Sequence, residues 1–404
     1  MDGSMVIVGG GLAAAKTAEA LRNRGFDGAI VMIAGEKHLP YERPPLSKGF
    51  LSGSTVAAKL LPLDADWYAV HHVDLRTGVR ATKIDRADHL VFLDDGSAVR
   101  YDKLVLATGS RPRAFPGEPA VAYLRSVDDA QALRERLGDG RSLVIVGGGW
   151  IGLEVAATAR SAGTAVTVVE PQRLPLLGIL GERVAGIVAG LHRRHGVDLR
   201  LDTGVDGIEV DEVTGGPGGR VTTTDGATLE ADTILVGIGA LPNTEIAAAA
   251  GLPLESGGVV VDAELATFDP DVYAVGDIAN YPDPHFGRLR VEHWANALNQ
   301  PAVAAANLLG HHETYDRLPY FFTDQYEFGM EYRGYATGEN RVAIRGNTDA
   351  LEFLAFWLDG ENRVCAGMNV NLWDDSQAIA DLITSKRIVD PDRLADRSIA
   401  LAEV

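Results

Sequence analysis

The chain carries one cysteine, Cys365, in 404 residues. That excludes an internal disulfide and any Cys-x-x-Cys redox pair, and it leaves Cys365 the plain role of a small buried apolar residue. No apolar run approaches the ~18 residues of a membrane-spanning helix, so none is expected. Basic residues are the minority: 37 Lys and Arg against 56 Asp and Glu give a net charge of −19, which argues against nucleic acid or an anionic membrane as partner. Metal-ligand clusters are scarce as well. His192 and His195 stand three apart on an expected helix, but no third ligand is near, and no metal site is expected. The pairs His71–His72 and His311–His312 are adjacent and face different ways, and Arg193–Arg194 reads as a solvated helix face. Met5 already begins a strand-type run, which leaves no room for a secretory leader, so the cytoplasm is the expected location.

Glycine, by contrast, is abundant, at 46 residues. The chain is organised around Met5–Ala14, where an apolar strand-type run breaks into Gly9-Gly10-Gly11. A helical pattern follows, with Leu12, Ala15, Ala18 and Leu21 on one face, and Gly25 closes it. That is the order a dinucleotide needs. Gly9 makes the tight turn, Gly11 lets backbone approach a pyrophosphate, and Ala14 lets helix and strand pack closely. Val144–Gly149 then repeats Val6–Gly11 residue for residue, and Gly163 stands to the second helix as Gly25 does to the first. The second fingerprint keeps three glycines, Gly147, Gly149 and Gly152, and leads through Val166–Val169 to Glu170. Two such patterns in register imply two nucleotide-binding units.

Between and beyond them, Ala29–Ile33 reads as a strand ending at Gly35-Glu36. The position matching Glu170 is strictly Ala34, so Glu36 reaches a ribose only if the strand runs on. Leu39–Leu51 is a segment stiffened by two prolines that delivers Lys48 at the start of a helical turn. Residues 70–106 alternate apolar and polar around a turn at 94–97, as a small antiparallel sheet would. Strands at Leu104–Ala107, Thr233–Ile238 and Val272–Val275 end in Thr108-Gly109, Gly239-Ala240 and Gly276-Asp277. A loose glycine-rich turn is expected over 214–220, and a helix from about His293 through Leu309. The aromatic-rich stretch 320–373 reads as three strands, near 341–345, 351–358 and 363–370, before a helix from Asp374 to about Lys386. The fold class is therefore α/β, with two Rossmann-like dinucleotide-binding domains and a C-terminal α+β domain.

The motifs Leu39–Lys48, Ala107–Arg113, Val272–Asp277, Val291–Gln300 and Pro319–Gln325 together resemble those of the FAD-dependent, NAD(P)H-using ferredoxin and rubredoxin reductases. These are glutathione-reductase-like flavoproteins, among them the reductase components of bacterial oxygenases. Arg43-Pro-Pro-Leu-Ser-Lys48 separates this family from disulfide reductases of similar fold. The resemblance implies a discontinuous FAD domain over 1–109 and 237–318, an NAD(H) domain over 110–236, and a C-terminal domain over 319–404.

Carried over residue by residue, it implies that Gly9, Gly11, Leu12, Ala13 and Ala14 cradle the FAD pyrophosphate. Gly35, Glu36, Arg43, Lys48, Ala81, Thr108, Gly109, Arg125, Gly276, Asp277 and Trp294 complete the FAD set. Arg43 and Arg125 would offset phosphate charge, Asp277 would accept from a ribityl hydroxyl, and Trp294 would meet the isoalloxazine at a helix N-terminus. Gly147, Gly149, Trp150, Ile151, Gly152, Glu154, Glu170 and Gly239 make the NAD set. An acid at Glu170 bonds the 2′-hydroxyl and repels a 2′-phosphate, so NADH is the expected donor, although Arg173 stands three residues on. Lys48 and Glu154 are the implied catalytic pair, meeting beside flavin N5.

With no thiol at hand, reduced flavin must pass electrons on singly, to a 2Fe–2S ferredoxin or a rubredoxin feeding an oxygenase such as a cytochrome P450. That is the activity of an NAD(P)H-dependent ferredoxin reductase (EC 1.18.1 class). The rivals are an NADH-responsive flavoprotein with a stable charge-transfer complex, similar to apoptosis-inducing factor, and an NADH oxidase. An acidic reductase that docks acidic ferredoxins needs a local basic patch. Arg288, Arg290, Arg317, Arg333 and Arg345 are its candidates, while Phe322 stands where close relatives tend to have Trp and Glu331 where a cation would help.

Overall fold

Each glycine-rich turn is launched by an inner strand of a parallel sheet. The computed structural model describes residues 3–117, 119–211 and 216–404, and the chain divides into two compact units. The first comprises Met1–Glu42, Ala57–Arg111 and Ala240–Pro319; the second comprises Arg43–Val56, Pro112–Gly239 and Tyr320–Val404. The turn expected over 214–220 lies in part outside the described residues.

In the first unit the parallel strands run in the order Val272–Ala274, Lys103–Leu106, Ser4–Val8, Ala29–Ala34, Val73–Thr77. Val6, Ile7, Ile30, Met32, Leu104 and Val105 are apolar in succession and almost all wholly buried, as strands covered on both faces require. The helices Leu12–Asn23 and Trp294–Leu308 pack on each other. The antiparallel sheet expected in 70–106 is smaller than the alternation implied. It holds Ala81–Asp85, Leu90–Leu93 and Ala98–Arg100, whereas Val73–Thr77 pairs parallel to Ala29–Ala34. The N–H groups of Gly78 and Val79 extend that pairing by donating to the carbonyls of Glu36 and Ala34.

The second unit repeats the plan with parallel strands Asp198–Arg200, Ala165–Val169, Ser142–Val146 and Thr233–Val236. It adds a five-stranded antiparallel sheet ordered Tyr320–Gln325, Phe328–Gly334, Val364–Val370, Glu352–Leu358, Arg341–Asn347, with the helix Ser376–Ser385 against it. Five strands stand where three were expected. The first two form a hairpin closed by Tyr326-Glu327, and Tyr326 holds φ at 54°. Such turns are usually announced by Asn-Gly or Asp-Gly, and this one has neither. Leu180, Val184, Val188 and Leu191 of the helix Leu177–Arg194 share a core with Phe328, Met330 and Trp357 of that sheet. The indole N–H of Trp357 donates to the Leu180 carbonyl at 3.2 Å.

Candidate functional site

In the first unit, Gly9 holds φ at +152°, and a Cβ there would lie 2.1 Å from the Ala107 carbonyl oxygen. Only glycine fits where the turn crosses the neighbouring strand. Gly11 is different: a Cβ would meet nothing of this chain within 4 Å. Gly11 also caps the helix Leu12–Asn23 without a side chain, so the first-turn N–H groups keep their donors for an outside acceptor. Leu12, Ala13 and Ala14 are buried in that first turn.

The remaining positions expected around FAD in this unit are spread over strand ends. Glu36 accepts from the Tyr41 hydroxyl at 2.5 Å. Thr108 and Asn243 exchange hydrogen bonds, Oγ1 to carbonyl at 2.6 Å and Nδ2 to carbonyl at 2.9 Å, beside Gly109 at φ 65°. Gly276 donates its N–H to Gln300 at 2.7 Å, and Asp277 accepts from Ser110 at 2.6 Å. Trp294 opens the helix Trp294–Leu308, and Ala81 opens the strand Ala81–Asp85.

The second unit repeats the glycine logic. Gly147 has φ +107°, and its Cβ would lie 2.5 Å from the Gly237 carbonyl oxygen; a Cβ on Gly152 would lie 2.4 Å from that of Gly147. Gly149 is open, its nearest neighbour at 3.9 Å. In both units, then, the first glycine is demanded by the chain itself. The glycine at the helix start faces space of the kind a pyrophosphate would use, so the residues present fit the dinucleotides that the fingerprints imply. Glu170 is buried at its strand end and accepts from the N–H of Gly148 at 2.7 Å and of Gln172 at 3.0 Å. Arg173 is held by Glu182, at 2.7 and 3.2 Å. Trp150 meets Phe321 edge-on at 5.0 Å, Ile151 is exposed, and Gly239 lies at φ 110°.

The second unit also brings Lys48 and Glu154 together. Pro44–Ser47 is one 3₁₀ turn begun by proline, and it ends on Lys48. The Lys48 ammonium sits 2.7 Å from Glu154 Oε2 and also donates to the Pro44 carbonyl at 3.3 Å. Glu154 comes from the first turns of the helix Trp150–Ser161 and is buried. Two residues missing from the sequence reading share its carboxylate: Ser47 Oγ donates to Oε2 at 2.5 Å, and Thr323 Oγ1 donates to Oε1 at 2.5 Å. Thr158 fixes the segment by donating to the Ser47 carbonyl at 2.8 Å. Ser47 was legible as a neighbour of Lys48; Thr323, far along the chain, was not. Lys48 Nζ also lies 5.7 Å from the centroid of the Phe322 ring. Arg43 donates to the Arg125 carbonyl at 2.5 Å in the same unit. Thus Lys48, Arg43, Arg125 and all the NAD positions belong to the second unit, and the other FAD positions to the first.

The arginines that were candidates for a docking patch are mostly engaged within the chain. Arg288 donates to the carbonyls of Val261 and Asn280, Arg290 to Ser256, and Arg345 to Asp396 and Ile399. Arg333 bonds Ser376 and lies over the Tyr320 ring, whose hydroxyl donates to Glu331 at 2.9 Å. His192 and His195 go separate ways: His192 is buried against Gln325, while His195 stacks on Tyr326 and pairs with Glu327. Cys365 is half-buried in the C-terminal sheet, and burial pushes its thiol pKa up.

Residues 3–300 match the family described as pyridine nucleotide-disulphide oxidoreductase, and residues 320–404 match the family described as reductase C-terminal. The ferredoxin–NAD(+) reductase component of the anthranilate 1,2-dioxygenase system of Burkholderia cepacia is 42% identical over 98% of both chains. Putidaredoxin reductase of Pseudomonas putida is 38% identical over 99% of this chain and 96% of its own. The crystal structure of a covalent putidaredoxin reductase–putidaredoxin complex superimposes with a TM-score of 0.94 at 37% identity, covering 99% of this chain and 97% of that one. The chain belongs to the pyridine nucleotide-disulphide oxidoreductases, in the branch of ferredoxin–NAD(+) reductases that ends in a reductase C-terminal domain.

Proposed function

We propose that this chain is the NADH-dependent FAD reductase of an oxygenase system, delivering single electrons to a 2Fe–2S ferredoxin or a rubredoxin. The observation that carries the reading is the Lys48–Glu154 pair at 2.7 Å, its carboxylate buried in the helix Trp150–Ser161 that follows the second nucleotide turn. FAD, when bound, accepts two electrons as hydride and releases them one at a time. The chain's part is to bind and orient. The open turn at Gly11 and the bare first turn of its helix receive a pyrophosphate, with Asp277 for a ribityl hydroxyl and Arg43 and Arg125 for phosphate charge. Gly149 receives the pyrophosphate of NADH, and Glu170 takes the adenosine ribose hydroxyls and turns away a 2′-phosphate. Lys48 places a positive charge where electron density arrives, and Glu154 holds that ammonium in place.

The domain division follows from these roles: FAD over 1–109 and 237–318, NADH over 110–236, and a C-terminal domain over 319–404. Among the described residues no helix is long and apolar enough to cross a membrane, and we place the enzyme in the cytoplasm. The test mixes the purified yellow protein with NADH and follows flavin absorbance and oxygen uptake, with and without a 2Fe–2S ferredoxin. Turnover that needs the iron–sulfur protein supports the reading. Rapid oxygen uptake without it makes the protein an oxidase. Bleached flavin that no carrier re-oxidises makes it a sensor.

A further inference from the structure

The strand Tyr320–Gln325 sorts its residues by face. Phe322 is half-buried and Asp324 exposed, whereas Thr323 and Gln325 are 1% exposed and point inward. The inward pair joins a line of hydrogen bonds that the flavin and nicotinamide roles leave unused. Thr323 Oγ1 lies 2.5 Å from Glu154 Oε1, Gln325 Nε2 lies 3.2 Å from Thr323 Oγ1, and His192 Nε2 lies 2.8 Å from Gln325 Oε1.

The direction of each bond follows from what each group can do. An ionised carboxylate only accepts, so the single Thr323 proton goes to Glu154, and the Thr323 oxygen is left to accept from the Gln325 amide. The Gln325 carbonyl then faces His192, which must carry its proton on Nε2. Its Nδ1, buried, has no hydrogen-bond partner among the described residues. Burial lowers the His192 pKa to about 4, so the ring is a neutral donor at working pH. The titratable groups facing it are His195 and Tyr326; those facing Glu154 are Lys48 and Asp324.

Three buried donors stand in series, His192 to Gln325, Gln325 to Thr323 and Thr323 to the carboxylate, so each polarises the next and strengthens the last bond, to Glu154 Oε1. Apolar side chains of equal size would fill the same core at lower desolvation cost, so the line has a use besides packing. It occupies Oε1 and leaves Oε2 to Lys48 and Ser47.

We propose that Thr323, Gln325 and His192 form a one-way donor relay by which the C-terminal sheet positions the Glu154 carboxylate and, through it, the Lys48 ammonium. This rests on the reading that Lys48 and Glu154 serve the flavin. The three are positioning residues; none is assigned contact with a cofactor.

The test uses the FAD-loaded enzyme with Thr323→Val, Thr323→Ser, Gln325→Met and Lys48→Ala. Thr323→Val keeps the shape and removes the donor. Its limiting rate of flavin reduction in stopped flow falls about tenfold, the worth of a hydrogen bond to a charged group, while the NADH Kd stays within about twofold. Its flavin midpoint potential also falls, and Thr323→Ser restores both. Ring ¹⁵N shifts place the His192 proton on Nε2 in the native enzyme, and Gln325→Met, which removes that proton's acceptor, moves them.

A Thr323→Val enzyme with native rate and potential, beside a slow Lys48→Ala, overturns the relay and leaves the site standing. Native behaviour in Lys48→Ala overturns the site itself, and the relay with it. A His192 proton found on Nδ1 also overturns the relay. Should Thr323→Val fail to load flavin, Gln325→Met decides: an unchanged rate and potential refute the proposal, and a drop of roughly threefold supports it.

Discussion

Lys48 is the residue proposed to carry the chemistry, because its ammonium, on a side chain 17% exposed, is a charge fixed in place by Glu154. Lys48→Ala should lower the flavin potential and slow reduction by NADH roughly a hundredfold, the usual cost of removing one such electrostatic group. Stopped-flow reduction at the native rate would remove Lys48 from the mechanism. Glu170 is the residue proposed to decide the nucleotide. Its carboxylate is pinned by two backbone N–H groups at the strand end, while Arg173, a cation three residues on, is taken up by Glu182. NADH should therefore give the higher kcat/KM, and Glu170→Ala should cut its advantage over NADPH by about tenfold; an enzyme faster with NADPH would refute the assignment. At this scale the sequence was partly legible. Glu170 announces itself at the end of the strand after the second glycine fingerprint, whereas Lys48 and Glu154 are paired in sequence only by the family resemblance. Thr323 does not, because the fold alone carries it to Glu154, 169 residues away.

At the scale of elements, the strand–turn–helix units were readable because a parallel strand buried on both faces needs a continuous apolar run, and a tight crossing needs glycine at one place. The two roles of glycine are separable by experiment. Gly9→Ala puts a Cβ 2.1 Å from a backbone oxygen and should prevent correct folding, whereas Gly11→Ala meets no atom of the chain. Gly11→Ala should fold with native circular dichroism and lose FAD affinity, and Gly149→Ala should keep FAD while its NADH Kd rises about tenfold or more. Isothermal titration of each variant checks this; Gly11→Ala that holds FAD as tightly as the native chain would show that the turn does not hold the pyrophosphate. The C-terminal sheet was harder to read for an equally physical reason. Its first hairpin turns on a tyrosine at positive φ rather than on glycine, and its first strand buries Thr323 and Gln325, so no inward apolar alternation marks it.

For the molecule as a whole, each unit carries one histidine that folding strips of water: His192 in the second and His293 in the first. Burial, the main cause in both, lowers each pKa to about 4, with Asp277 pulling the other way on His293. The unfolded chain holds these imidazoles near the ordinary value of about 6.5 and so binds the extra protons throughout the interval. Because the lowered pKa belongs to the folded state, the stabilisation is complete above about pH 6.5 and is lost as pH falls toward 4. The slope is up to about 1.4 kcal/mol per pH unit for each ring. Glutamine retains a donor near the position of Nε2 without the titration. His192→Gln should therefore flatten the acid loss of the second unit and leave that of the first unchanged, and His293→Gln should do the reverse. Hydrogen exchange of the FAD-loaded protein, followed peptide by peptide between about pH 7 and pH 5, reads the two units apart. Acid sensitivity of the second unit that survives His192→Gln undiminished would mean that carboxylates, rather than this imidazole, set its lower pH limit.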